Sequence, residues 1–187
     1  MKTIIETKRL ILRPWHEKDA EALYKYASDP RVGLIAGWPP HTSIEHSREI
    51  IHTVLSNDEI YAVILKKTGE PIGSIGLIRN ARTYSVAMGN SECEIGYWIG
   101  VPYWGQGLIP EAIGELLQHA FQDLPLNVVW CEYYDGNEQS RRVQEKTGFR
   151  YHHTETDKPC PMLNERRTVH FSKITKDEFL KKYARHK

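Results

Sequence analysis

Six residues, Trp104-Gly105-Gln106-Gly107-Leu108-Ile109, lie between a strand-like run and a helix-like run and have the make-up of an anion site. A strand that stops at a glycine-rich turn and opens a helix leaves several backbone N–H groups unpaired and pointing outward, and the helix dipole adds partial positive charge there. Gly105 and Gly107 let the backbone approach a pyrophosphate with no Cβ in the way, and Pro110 suits a first helical turn, where its missing N–H is not missed. Glu111 is an ordinary acidic residue for a helix start. The same spacing also serves plain close packing, so the turn alone leaves both readings open. Two other phosphate loops are excluded: the sequence has no GxxxxGK followed by Ser or Thr, and it lacks the three-glycine dinucleotide fingerprint with its acidic residue about 20 positions on.

The elements that must hold this turn can be read from periodicity. Glu94-Ile95-Gly96-Tyr97-Trp98-Ile99 is a strand that feeds it, and Pro110 to Gln122 is a helix with Ala112, Ile113, Leu116, Leu117, Ala120 and Phe121 on one face. Val128 to Tyr133 reads as the next strand and Asn137 to Lys146 as the next helix, broken at Gly148. Upstream, Arg9 to Arg13 is a strand ending at Pro14, Glu17 to Ala27 an amphipathic helix, and the stretch with Gly33, Gly37, Trp38, Pro39 and Pro40 a loop. Thr42 or Ser43 caps a helix through Asn57, and Ile60–Leu65 and Ile72–Ile78 flank a hairpin turn at Lys67 to Glu70. Arg79 to Ser91 is a loop, Phe149 to Glu155 and Arg167 to Ile174 are strands, and a short charged helix follows from Lys176. A run of strands that then alternates with helices implies an α+β domain, a mixed sheet of about seven strands with helices on its faces.

Composition sets the bounds. The 187 residues, 40% hydrophobic, suit one domain over residues 1–187 with a continuous core. With 25 Lys+Arg against 24 Asp+Glu the net charge is +1, so no global field points to nucleic acid. No apolar run approaches the roughly 20 residues of a membrane helix, and the start of the chain has no signal-peptide core. Cys93, Cys131 and Cys160 are scattered and read as reduced thiols in a cytoplasmic protein. The nine histidines show no metal-ligand spacing, and the neighbours His152 and His153 are expected on opposite faces of a strand. No metal is expected.

Three ordered motifs carry a resemblance. Cys93 through Ala112 closely resembles the acetyl-CoA motif of GNAT acetyltransferases, particularly the RimJ/RimL-like branch that acetylates ribosomal-protein N-termini. Asn137 to Phe149 is similar to that branch's second motif and Thr7 to Pro14 to its opening strand, so the likeness runs from Thr7 to about Ile174. It implies a GNAT-like splayed sheet, in which the strand ending at Ile99 and the strand after the long helix part to admit a pantetheine arm. Carried over by position, the backbone of Ile99, Gly100 and Val101 would pair with pantetheine, and backbone donors within Trp104, Gly105, Gln106, Gly107, Leu108 and Ile109 would hold the pyrophosphate. Asn137 would hydrogen-bond pantetheine and Ser140 would face the cofactor. The family pattern has Gln or Arg first and Gly or Ala last; Trp104 and Ile109 depart from it, and the side chain of Ile109 must turn away from the ligand.

The chemistry so implied is transfer of acetyl from acetyl-CoA to a primary amine, most plausibly a protein or peptide N-terminus. Glu94 matches the catalytic glutamate of several superfamily members and is the candidate base, acting directly or through water; its other reading is a strand-end charge, and Glu92 is a weaker alternative. The tyrosine that protonates the thiolate in many members falls at Gln144, which leaves Ser140, ordered water or unassisted departure. Trp38 sits where the likeness places one wall of the acceptor cleft, and at most one of Tyr97 and Trp98 is expected to line it. At least one of Arg141 and Arg142 is expected to be a solvated charge, and Trp130 and Tyr133 to be sheet packing. A small-amine acceptor and a non-catalytic acyl-CoA-binding module are the competing readings, and the oligomeric state is left as monomer or homodimer.

Overall fold

A computed structural model describes residues 3–79 and 89–184; of the loop expected from Arg79 to Ser91, residues 80–88 lie outside the described residues. The strands are β1 (Ile5–Glu6), β2 (Leu10–Arg13), β3 (Ile60–Leu65), β4 (Glu70–Ile78), β5 (Glu92–Ile99), β6 (Val128–Tyr134), β7 (Arg150–Cys160) and β8 (Glu165–Thr175). The helices are α1 (Ala20–Ala27), α2 (Pro30–Ala36), α3 (Ile44–Thr53), α4 (Leu108–Gln122), α5 (Glu138–Thr147) and α6 (Lys176–Ala184). One eight-stranded sheet runs β1-β2-β3-β4-β5-β6-β8-β7. The count exceeds the expected seven because Ile5 and Glu6 pair with Leu12 and Ile11 as a short edge strand too brief for periodicity to register.

Every neighbouring pair is antiparallel except β5 and β6, which are parallel and in register only at Glu92↔Val128, Cys93↔Val129 and Glu94↔Trp130. Beyond Glu94, β5 stays on β4 up to the Gly73↔Ile99 pair, and β6 stays on β8 up to Tyr134↔Val169. The two strands therefore part, each held by its other neighbour. The Trp130 indole donates to Glu92 Oε2 at 2.8 Å and closes the joint where parting begins.

Strand alternation sends side chains to two cores. Tyr61 and Val63 face the cluster built around α4, with Leu116, Leu117 and Phe121 fully buried; Ala62 and Ile64 face the cluster under α1 and α3, with Leu23 and Ile51. On β5 the same parity puts Ile95 and Tyr97 on the α4 side, and Glu94 and Gly96 opposite with Trp98.

Sequence and structure differ at some element ends. The stretch expected as a loop at Gly33 contains α2: Asp29 caps it by accepting from Arg31 N–H at 2.9 Å, Pro30 occupies its first turn, and Gly37 ends it at φ +88. Ser43 caps α3 as expected, but the helix stops at Thr53. His152 and His153 do not point apart; a register shift between Tyr151 and His153 brings their Nδ1 atoms to 2.8 Å.

The corner from β2 into α1 is fixed by an ion pair. Arg13 grips Asp19 with two bonds of 2.6 and 2.9 Å, and His16 N–H donates to the same carboxylate at 2.9 Å. Burial works against the ionised carboxyl, but Arg13 and the His16 N–H outweigh it and hold Asp19 below its ordinary value. A depressed carboxyl stabilises the fold above its unfolded value of about 3.9 and loses that contribution as pH falls through the folded value. Asp19→Asn is expected to lower stability by about 3 kcal/mol at pH 7, with the gap narrowing only as pH falls below about 3.9, in urea melts from neutral to acid pH.

Candidate active site

The parting of β5 and β6 exposes backbone. Gly100 N–H donates to Ile72 O at 2.8 Å, which makes Gly73 and Ile99 a non-hydrogen-bonded pair. By the antiparallel alternation, the N–H and C=O of Ile99 and of Tyr97 then face away from β4, into the gap. The chain turns sharply after Ile99: Gly100 O accepts from Tyr103 N–H at 2.9 Å and Val101 O from Trp104 N–H at 3.1 Å. The Trp104 indole donates to Ile99 O at 2.9 Å. Of the backbone expected to pair with pantetheine, the turn thus uses the carbonyls of Gly100 and Val101, and Ile99 N–H with the Tyr97 groups faces the gap. Gly100 sits against the Tyr26 ring, where a Cβ would come within 2.5 Å of a ring carbon.

The glycine turn follows. Gly105 and Gly107 have φ of +73 and +72, and Gly107 caps α4. The first helical residues are Leu108 and Ile109, so Pro110 lies in the first turn, and the first bond inside the helix runs from Glu111 N–H to Gly107 O at 3.2 Å. Helix geometry leaves the N–H groups of Leu108 and Ile109 without intrahelical partners, while both side chains are buried in the core. That resolves the departure at Ile109: its side chain points inward and its amide outward. Gln106 Nε2 donates back to Pro102 O at 2.9 Å.

The turn is tied down from the connection between β1 and β2. Arg9 donates from Nε to Glu111 Oε2 at 2.6 Å and from Nη1 to Gln106 O at 3.0 Å, and Glu111 Oε1 accepts from Arg9 N–H at 2.7 Å and Thr7 Oγ1 at 2.5 Å. Sequence reading gave Glu111 only a helix-start role. Its true partners lie across the fold, and nothing in local spacing signals them.

Two cavities meet at the gap. One, of about 550 Å³, is bounded by Ile99, Trp104, Gly105, Gly107 and the start of α4 on one side, and by Arg142 and Lys146 of α5 on the other. Arg141 is instead engaged with Glu138 and Glu145 on the outer face, the solvated charge expected of at least one of the pair; Lys146, one helical turn from Arg142, also lines this cavity and was not anticipated. The second cavity, about 400 Å³, lies on the α1–α3 side and is bordered by Trp38, Glu94, Trp98, Tyr133 and Tyr134. Both cavities touch Ile35, Ala36, Tyr97, Trp98, Asn137 and Ser140. Tyr97 and Trp98 do point to opposite faces, yet both border the junction because the gap opens through the sheet. Tyr133 also borders the second cavity, whereas Trp130 packs at the joint.

A polar chain crosses the junction. The Tyr97 hydroxyl lies 2.9 Å from Ser140 Oγ, Gln144 Nε2 donates to Ser140 Oγ at 3.2 Å and to Glu132 O at 3.0 Å, and Ser172 Oγ donates to Gln144 Oε1. Burial pushes the Tyr97 phenol well above its ordinary value, so its proton stays on at neutral pH. Asn137 caps α5 by accepting from Ser140 N–H at 3.1 Å, which fixes Ser140 on the first turn. Glu94 is buried and borders the second cavity.

Residues 9–150 match the acetyltransferase (GNAT) domain model. The chain is 30% identical over 150 residues to the uncharacterized N-acetyltransferase p20 of Bacillus licheniformis, spanning 76% of this chain and 80% of that protein. It is 29% identical over 156 residues to the ribosomal-protein-serine acetyltransferase of Escherichia coli, spanning 79% and 83%. A crystal structure of a GNAT-family acetyltransferase from Bacillus anthracis shares the fold, with a TM-score of 0.81 over 94% of this chain and 99% of that one at 24% identity. With the family model matching most of the chain and p20 covered well beyond two thirds, the chain belongs to the GNAT family and is an acetyl-CoA-dependent N-acetyltransferase.

Proposed function

We propose that the chain transfers acetyl to the N-terminal amine of a protein or peptide, with the pantetheine arm in the gap between β5 and β6 and the amine entering from the α1–α3 side. The observation that carries this reading is the meeting of the two cavities at Tyr97, Trp98, Asn137 and Ser140, which gives a thioester and an amine a shared point of contact. Similarity to the ribosomal-protein-serine acetyltransferase of Escherichia coli supports the choice of a protein N-terminus.

In the proposed mechanism, the N–H of Ile99 and the backbone of Tyr97 hydrogen-bond the pantetheine amides. The amides of Leu108 and Ile109, with those of the Gly105–Gly107 turn, bind the pyrophosphate, and Arg142 and Lys146 supply positive charge nearby. Trp104 keeps the turn seated on the end of β5. The amine nitrogen attacks the thioester carbonyl carbon, the C–S bond breaks, and the amide N–C bond replaces it. Glu94 accepts the proton lost by the amine, directly or through water. The CoA sulfur leaves as the thiolate, accepting a hydrogen bond from the Ser140 hydroxyl, and takes its proton from water, while the Tyr97 phenol keeps its own proton and holds Ser140 Oγ at 2.9 Å. Gln144, in place of the family tyrosine, orients Ser140 through its amide instead of donating a phenolic proton.

The proposed location is the cytoplasm, supported by three buried unpaired thiols and by the lack, among the described residues, of any helix long and apolar enough to cross a membrane.

Incubating the protein with acetyl-CoA and a panel of peptides and small amines, while following free thiol, is expected to give peptide-dependent release of CoA. Tight acetyl-CoA binding with no acceptor-dependent release would contradict catalysis. Glu94→Gln is expected to lower kcat about 100-fold near neutral pH, with KM for acetyl-CoA unchanged and partial recovery as rising pH frees the amine. Full activity of that variant at every pH from 6 to 9 would remove Glu94 as the base.

A further inference from the structure

The acceptor cavity has a chemical character that the family assignment does not dictate. Its walls are aromatic and aliphatic. Trp38 packs edge-on to Trp98 at 5.9 Å between ring centroids and lies 5.7 Å from His41, and Ile50 and Leu55 of the α3 side add aliphatic surface. The carboxylates at its border are Glu94 and Glu132, and among the described residues no lysine or arginine lines it. His41 adds no cation, because burial and the neighbouring His46 push its imidazole down to about 4; its Nδ1 is engaged with Ser47 Oγ at 2.8 Å.

This wall is also rigidly held. The Trp38 backbone N–H returns to Gly33 O at 3.0 Å, and a Cβ at Gly33 would fall 2.6 Å from the Trp38 ring, so glycine is what lets the indole fold back on α2. A Cβ at Gly37 would fall 2.6 Å from the Tyr134 ring, so α2 docks directly on β6. From β8, Arg167 reaches over the Tyr134 ring at 5.0 Å and donates to Leu34 O at 2.7 Å. His41 N–H donates to Ala27 O at 3.0 Å and anchors the far end of the segment. A surface fixed from α1, β6 and β8 is built before the acceptor arrives, so its shape can select. Apolar side chains continue out to the rim, where Ile35, Val54, Ile78 and Met162 all border the cavity while exposed by 38% or more.

We infer that this cavity selects acceptors whose primary amine is carried on a bulky apolar or aromatic body, which on a peptide means a large hydrophobic first residue. The inference rests on the reading of the second cavity as the acceptor site and refines it. An ammonium group finds carboxylates there, an apolar body finds aromatic walls, and about 400 Å³ suits one residue or a compact amine. A free carboxylate finds no lysine or arginine among the described residues that line the cavity, and burying a charge without a partner is unfavourable. In apolar pockets each methylene is worth roughly 10- to 200-fold in kcat/KM, so the preference is large enough to measure.

The test compares kcat/KM for otherwise identical peptides beginning with Phe, Leu, Ala, Ser or Asp, alongside phenethylamine and an aminoglycoside. Phe and Leu peptides are expected to exceed Ala and Ser by at least about 10-fold, with Asp slowest. Equal rates for all five, or faster turnover of Ser and Ala, would overturn the inference while leaving N-terminal acetylation intact. Turnover of phenethylamine with no turnover of any peptide would overturn the peptide acceptor and uphold the apolar selection. Trp38→Ala is expected to reduce the Phe-to-Ala ratio with little change in KM for acetyl-CoA. Met162→Ala, on the exposed rim, gives the same readout without risk to the core, and an unchanged ratio in both variants would count against selection by this wall.

Discussion

A β-strand with one edge unpaired carries a row of N–H and C=O groups that need partners, and the end of β5 is such an edge inside the sheet. It arises because β5 and β6 are parallel and stay in register only from Glu92 to Glu94, while the antiparallel neighbours of each hold their remaining lengths apart. The gap between the strands, the glycine turn at its end and the two cavities that meet there all depend on that divergence. Were the strands to pair through Ile99, the polar edge would be satisfied internally and the two cavities would be closed off from each other. The Trp130–Glu92 hydrogen bond at the joint fixes where pairing ends.

The glycine turn at the start of α4 depends on contacts remote in sequence. Glu111 sits at the positive end of α4 and is held by Thr7 and Arg9, whose guanidinium also holds the Gln106 carbonyl. Drawing that carbonyl toward Arg9 keeps its partial negative charge occupied and leaves the helix-start amides as the dominant dipoles at this end of α4. Arg142 and Lys146 line the neighbouring cavity from α5, adding positive charge opposite the start of α4.

Local sequence rules recovered what is locally determined. Ser43 as a cap, Gly148 as the stop of α5 and the apolar face of α4 each follow from one or a few neighbouring residues, and each is found near its expected place. The short α2 was hidden because Gly33 and the following Gly-Trp-Pro-Pro read as loop chemistry, although the Asp29-Pro30 cap was present in the text. The Arg9–Glu111 clamp joins residues about a hundred positions apart, and no pattern in one sequence reports such a pairing. Tyr97 and Trp98 illustrate a different limit: alternation assigns their faces correctly, but only the opening in the sheet brings both to one junction. The division of Arg141 from Arg142 likewise needed the position of α5 relative to the gap.

In the proposed mode, acetyl-CoA lies along the free edge of β5 with its phosphates at the start of α4. Amide hydrogen exchange of the protein with and without acetyl-CoA measures this at the groups concerned. Slowed exchange at Tyr97, Ile99, Leu108 and Ile109, with β3 and β7 little changed, is the predicted result. Saturating acetyl-CoA that leaves those four amides unaltered while protecting another part of the sheet would contradict it.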